Sequence, residues 1–436
     1  VVQAQEYDAI VVGSGPGGST VAKELSQAGK KVLIVEWGNY KPLKGNMVQA
    51  GFSAATPGKS LLFTPDFAAV FRGIIAGGSS VFYYGTAFEP PLELFQKYGV
   101  DISKEVAETR AELPMEPLKD SLLGPMSTQI MNSARDLGYD WKKLPKFIDQ
   151  DKCKAACWRC NYGCPYDAKW SGRLFMKQSL ENGADLALQT KVQRVLFENG
   201  KAVGVEAKKY GKKVRFFAPQ VIISAGGIGS PVILKNSGLE GTGQDFFFDP
   251  LLAAMGTVDK VPAGGREIPM STGLHLEEDG YLMTDMTLPG ALFRVLNAQV
   301  LKPQKMLSHA KTLTIMVKAK DDLGGHLTGR GGVKKRVSPS DRKKLQHGFE
   351  RAKLILKKAG AGDVHKSWYL AAHPGGTVKI GEVVDSDLQT KIENLYVCDC
   401  SVIPEAWGLP PTFSLVALGK RLAKHLVEKT ESAVNP

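Results

Sequence analysis

YDAIVVGSGPGGSTVAKELSQAGKKVLIVE, residues 7–36, is the stretch on which the fold turns. Residues 7–12 are a short apolar run with β-branched side chains, the composition of a buried strand. Gly13-Ser-Gly-Pro-Gly-Gly18 follows, then a helical pattern over residues 19–28 closed by Gly29, then a second strand over residues 31–36. Strand, glycine turn, helix and strand in about thirty residues form the setting in which G-x-G-x-x-G binds a dinucleotide. Gly13 permits the tight turn, Gly15 lets the backbone approach a pyrophosphate, and Gly18 allows helix and strand to pack closely. The helix N-terminus offers N–H groups and a positive dipole end to phosphate. Glu36 ends the second strand, where a carboxylate can accept from both ribose hydroxyls and disfavours a 2′-phosphate.

A chain of 436 residues can bury a large core, and two domains are expected. Its 43% hydrophobic and 23% charged residues are ordinary for a globular protein. No apolar run reaches the length of a membrane span, and residues 1–10 resemble neither a signal nor a transit peptide, so a cytoplasmic location is expected. The net charge of +12 reads as a solvated basic face, with an anionic membrane surface or an acidic electron-transfer partner as alternatives. The basic residues are not interleaved with aromatics in a nucleic-acid-binding motif, so no nucleic-acid partner is expected.

Four cysteines, Cys153, Cys157, Cys160 and Cys164, fall in the run CKAACWRCNYGCP. The last three, with Pro165, repeat the C-x2-C-x3-C-P spacing of bacterial ferredoxins, and the first lies one residue further out. The expected ligand is an iron–sulfur cluster of the 4Fe–4S type, with 3Fe–4S, zinc or no metal as alternatives. Cys398 and Cys400 read as small apolar residues around Asp399.

Further along, Asn199-Gly200 between alternating runs predicts a hairpin. Ser338-Pro-Ser-Asp predicts a capped helix that ends at Gly360. The chain closes with a strand over residues 395–397, a Pro/Gly-rich loop and a helix from about Thr412.

Four separated segments together resemble the glucose–methanol–choline (GMC) oxidoreductase family of flavoproteins. They are the Gly13–Gly18 turn with Glu36; Ala76-Gly-Gly-Ser-Ser-Val81; Ile223-Ser-Ala-Gly-Gly-Ile-Gly-Ser-Pro231; and His373-Pro-Gly-Gly-Thr377 with residues 394–404. The resemblance implies FAD rather than NAD. It implies an α/β fold, a Rossmann-like FAD-binding domain with an inserted α+β substrate domain built on an antiparallel sheet. Residues 1–90, 150–250 and 380–436 would form the first and residues 91–149 and 251–379 the second. By the family pattern, Val192 lies against the adenine, Asp399 and Cys400 approach the pyrophosphate and ribityl chain, and Gly77, Gly78 and Ser79 run along the flavin. His373 falls where the family places its proton-accepting histidine. At the second catalytic position stands Pro410, which has no side-chain donor or acceptor. Glu405, His365 and Tyr84 are the candidates to replace it. At Cys160, Cys164, Pro165 and Ala168 the chain is similar to the iron–sulfur segment of bacterial FAD-dependent glucose dehydrogenase subunits.

The reading that follows is an FAD-dependent dehydrogenase of CH–OH substrates that passes electrons through the cluster to a protein or quinone acceptor. Peripheral membrane association and a further subunit are compatible with it. The alternatives are a reductase running in the opposite direction and an electron-transfer subunit with a vestigial substrate site.

Overall fold

The computed structural model describes residues 7–260 and 265–434, with side chains to residue 431. A five-stranded parallel sheet runs in the order Leu395–Val397, Gln220–Ile223, Ala9–Val12, Val32–Val35, Asp185–Ala187. Val12 is level with Val35 and Ile223, and Ile223 with Val397, so the carboxyl ends of four strands form one edge. The first four strands in this order are buried throughout except at Gln220, as expected of a parallel sheet covered on both faces. The helix Pro16–Gln27 packs against Thr412–Val434 and Gly172–Glu181.

The hairpin forms around Asn199 and Gly200, with φ of 49° and 78°. A second hairpin over Tyr210 and Gly211, with φ of 49° and 81°, adds Lys212–Phe217 to make three strands. The capped helix is Pro339–Lys358, and the Ser338 side chain accepts from Asp341 N at 3.0 Å.

A nine-stranded, largely antiparallel sheet is centred on Pro250–Thr257 and Thr312–Ala319. Period-two alternation divides its side chains. Leu252, Ala254, Ile315 and Val317 pack with Leu345, Ala352 and Leu356 of Pro339–Lys358 on one face. Leu251, Ala253, Met255 and Met316 join Met270, Met286, Leu288 and Phe293 on the other. The strands Leu61–Phe63 and Ala69–Phe71 also belong to this sheet, so the chain crosses into it well before residue 90.

Candidate active site

At the carboxyl edge of the parallel sheet the chain leaves Val12 through Gly13, at φ 94°. A Cβ on Gly13 would sit 2.3 Å from Ser224 O, and one on Gly18 would sit 2.2 Å from Gly13 O. Gly17, unremarked in the sequence, is equally confined: its Cβ would lie 2.1 Å from Cys398 O. These glycines let the helix dock directly on the strand ends. Gly15 differs, because a Cβ there would meet nothing within 4 Å, and it borders a cavity of about 560 Å³. The position of this cavity at the carboxyl ends of parallel strands is where doubly wound sheets bind ligands.

Gly13, Gly15, Glu36, Gly78, Ser79, Val192, His373, Asp399 and Cys400 all line the cavity. Gly18 and Gly77 stand behind its wall. Gly18 packs on Gly13, and Gly77 N donates to Ser14 Oγ at 2.9 Å. Glu36 is more committed to the protein than its sequence position suggested. It accepts from Ser14 N at 3.1 Å, Ser14 Oγ at 2.6 Å and Gly38 N at 2.6 Å. A carboxylate has about four acceptor sites, so about one ribose hydroxyl can be taken here rather than two. Burial pushes the Glu36 carboxyl above its ordinary range despite these bonds. Asp399 is also tied inward: Oδ2 accepts from Gly226 N and Ser230 Oγ, and Oδ1 from Ser401 N and Ser401 Oγ. Its carboxylate joins the ends of two strands, leaving neighbouring backbone to face the cavity.

The cavity carries cations that no motif flagged. Arg72, Lys191 and Trp37 line it, with Arg72 5.4 Å and Lys191 4.3 Å from the Trp37 ring. Burial pulls the Arg72 guanidinium down to about 10. No carboxylate pairs with Arg72 or Lys191 among the described residues. Open backbone at Gly15, a helix N-terminus and unpaired cations beside an indole fit a dinucleotide carrying a diphosphate.

His373 enters from the antiparallel sheet, just after Leu370–Ala371, with φ 48°. Its Nδ1 lies 3.0 Å from Asp249 Oδ2, and Lys318 Nζ lies 2.6 Å from the same oxygen. Lys318 is opposite Leu251 on the neighbouring strand, so strand pairing brings the three groups together. Asp249 and Lys318 are each 1% exposed. Burial alone would raise the Asp249 carboxyl, but Lys318 and His373 outweigh it and hold it low. Burial, reinforced by Lys318, lowers the imidazole against the opposing pull of Asp249. A second buried pair lies behind: Asp321 accepts from Phe248 N and Asp249 N and is 3.2 Å from Lys335.

The candidates to replace the second catalytic group separate clearly. Glu405 pairs with Lys97 and Tyr98 away from the cavity. His365 Nε2 is 2.8 Å from Asn297 Oδ1, and burial pulls the ring down to about 4. Of the three, Tyr84 packs on the same apolar cluster as Ala372 and Leu409, the neighbours of His373 and Pro410.

The cysteine loop abuts the glycine–serine motif, through Arg159–Tyr162 against Gly78–Val81. Cys160 and Cys164 are buried, and Cys153 and Cys157 are half-buried. Burial, aided by the charges of Cys160, Cys157 and Cys164, pushes the Cys153 thiol up to about 12. The four thiols are thus within electrostatic reach of one another. Yet among the described residues no three Cys, His, Asp or Glu side chains converge closely enough to hold a metal ion. The expected four-thiolate ligand set is therefore not assembled in this arrangement; proximity in sequence made the thiols neighbours without aiming their sulfurs at one centre.

A dinucleotide cradle facing a carboxylate-held histidine defines an oxidoreductase. Family models described as GMC oxidoreductase match residues 7–251 and 332–419. The chain belongs to the GMC oxidoreductase family of FAD-dependent enzymes. It is 29% identical over 433 residues to an uncharacterized protein of Methanocaldococcus jannaschii, covering 97% of this chain and 100% of that one. It is 25% identical to a long-chain-alcohol oxidase of Arabidopsis thaliana, over 96% of this chain and 68% of the relative. Among solved structures, pyridoxine 4-oxidase from Mesorbium loti superposes with a TM-score of 0.73 at 14% identity, covering 96% and 99% of the two chains. Formate oxidase of Aspergillus oryzae gives 0.74 at 15% identity, covering 99% and 100%. These likenesses establish the shared fold.

Proposed function

We propose that the protein oxidises the CH–OH group of an apolar alcohol. The observation that carries this reading is the placement of His373. It borders the dinucleotide cavity on one side, and its neighbour Ala372 packs with Leu409 into an apolar cluster of Met270, Met286, Leu288 and Met316 on the other. Methionine-rich surroundings adapt to flexible apolar ligands.

The Gly13–Gly18 turn, Glu36, Val192, Gly78, Ser79 and the Asp399–Cys400 backbone would hold FAD, with Arg72 and Lys191 offsetting its charge. When bound, FAD supplies the hydride acceptor. His373 donates its Nδ1 proton to Asp249, which leaves Nε2 to accept the proton of the substrate hydroxyl. Lys318 neutralises Asp249, so the imidazole remains a neutral base. Pro410 offers no second side-chain group, and in this reading Tyr84, which packs on the same apolar cluster as Ala372 and Leu409, would orient the substrate oxygen. The long-chain-alcohol oxidase relative is consistent with an apolar substrate.

Each methylene buried is worth about 0.8 kcal/mol, or about fourfold in kcat/KM. A homologous series of primary alcohols, assayed anaerobically by flavin bleaching, is expected to show that rise with chain length. A flat series, or a preference for polyols, would overturn the apolar assignment.

A specific observation favours a second element, an iron–sulfur cluster on Cys153, Cys157, Cys160 and Cys164, whose assembly would have to draw together sulfurs that do not converge in this arrangement. Two buried lysines stand beside Cys160 without a carboxylate partner within ion-pair distance among the described residues. Lys169 Nζ donates to the carbonyls of Val81, Tyr83 and Cys160, and Lys146 Nζ to those of Tyr84, Pro269 and Met270. Burial pulls each lysine down to about 8. Both ease ionisation of the Cys160 thiol against the burial that raises it. Buried cations favour an anionic group among these thiols. A cluster held there would supply a one-electron exit beside the Gly78–Ser79 motif toward a protein or quinone acceptor. Anaerobically purified protein is expected to carry about four irons and four sulfides per chain. Protein without sulfide, with zinc or no metal, would remove the relay and leave the flavin assignment standing.

A further inference from the structure

The acidic residues of this chain are unevenly placed. It has 44 Asp and Glu, yet residues 37–65 and 286–320 contain none. The first segment carries Lys41, Lys44 and Lys59, and the second Arg294, Lys302, Lys305, Lys311 and Lys320 besides the buried Lys318. Lys305 pairs with Asp363. Arg294, Lys302, Lys311, Lys41 and Lys44 have no carboxylate within ion-pair distance among the described residues.

The same two segments expose large apolar side chains. Met47, Val48 and Phe52 project from the helix Met47–Ala54, with Phe52 78% exposed. Val48 and Phe52 are one turn apart and share a face. In the second segment Val295, Leu301 and Leu307 are exposed, the last two at 86% and 90%.

The cysteine loop joins the segments. A Cβ on Gly45 would lie 2.8 Å from Pro165 Cδ, and one on Gly163 would lie 3.3 Å from Leu43. On its other side Asn161 Nδ2 donates to Thr287 O at 3.2 Å. Both segments also reach inward: Leu61 and Leu292 pack on the apolar cluster that includes Ala372 and Leu409. Each flank therefore presents apolar and basic groups outward and a leucine toward the surroundings of His373.

We propose that residues 37–65 and 286–320 form a surface that seats this protein on an anionic lipid bilayer. Exposed leucine and phenylalanine can enter the acyl boundary while lysine and arginine without a carboxylate partner meet lipid phosphates. Charge complementarity selects a bilayer with anionic headgroups over a neutral one. The proposal rests on the apolar-alcohol reading only in giving such a substrate a route from the membrane to His373; the docking itself does not depend on turnover.

The test is cosedimentation of the full-length FAD-loaded protein with vesicles of phosphatidylcholine, alone or mixed with phosphatidylglycerol. Wild type is expected to sediment with the mixed vesicles, to bind the neutral ones more weakly, and to be partly released by salt. Val48→Glu with Phe52→Glu, and separately Leu301→Glu with Leu307→Glu, should each weaken binding by about tenfold or more. Flavin absorbance and thermal midpoint, which report folding, should stay unchanged for at least one of the pairs. Absence of wild-type binding to mixed vesicles overturns the proposal, as does unaltered binding by both well-folded pairs. Gel filtration showing a wild-type dimer that the substitutions dissolve, without vesicle binding, would assign the face to a second copy instead. Anaerobic reduction by a detergent-dispersed alcohol, measured without vesicles, separates failure of docking from failure of the catalytic reading.

Discussion

His373→Ala is expected to retain FAD and lose about 10²–10⁴-fold in the rate of flavin reduction by alcohol, the range that a general base contributes. The imidazole borders the cavity with its Nδ1 committed to Asp249, so Nε2 is the nitrogen free to take the proton. Burial and Lys318 lower its pKa, and only the neutral ring can accept a proton. Reduction should therefore rise with pH along an acid limb that lies below the ordinary histidine value of about 6.5. Lys318→Met removes a cation that disfavours imidazolium. The histidine pKa should then rise and the acid limb move to higher pH. Stopped-flow reduction across pH checks both statements. Unchanged reduction by His373→Ala would place the base elsewhere, and an unmoved acid limb in Lys318→Met would disconnect the lysine from the histidine.

Asp249→Ala is expected to produce the largest loss of stability. Asp249 and Lys318 are almost wholly excluded from solvent and 2.6 Å apart. Removing one partner of such a pair strands the other charge in the interior, at a cost of about 3–5 kcal/mol. Asp249 also anchors His373, so the variant should lose activity even where it folds. Chemical denaturation of Asp249→Ala, Lys318→Met and the double replacement measures the coupling. The double variant should recover part of the loss, because it leaves no orphaned charge. Equal and additive losses would show that the two side chains do not act as a pair.

The nucleotide-binding half was legible because its determinants are local. Glycines at 13, 15 and 18 between two β-branched runs specify the turn. Asn199-Gly200 and Ser338 are turn and cap chemistry acting over a few residues. The large sheet depends on partners far apart in sequence, such as Leu370–Ala371 beside Ala69–Phe71, and its strands can be two residues long. No short window holds that information. Asp249 and Lys318 had no motif, although each interrupts an apolar run, FFFDPLLAAM and TLTIMVKA. A charge in a run that must be buried implies a buried partner, and that signal pointed to the network behind His373. The cysteine spacing specified neighbours, but the direction of each sulfur depends on the loop's packing against residues 43–45 and Thr287.

The most direct test of the central claim is anaerobic mixing of the oxidised holoenzyme with a long-chain primary alcohol, unlabelled and deuterated at the carbinol carbon. The account predicts bleaching of the flavin by both, slower for the deuterated alcohol, with release of the corresponding aldehyde. A flavin that stays oxidised in alcohol but accepts electrons from a reduced ferredoxin-type donor would contradict it and identify a reductase.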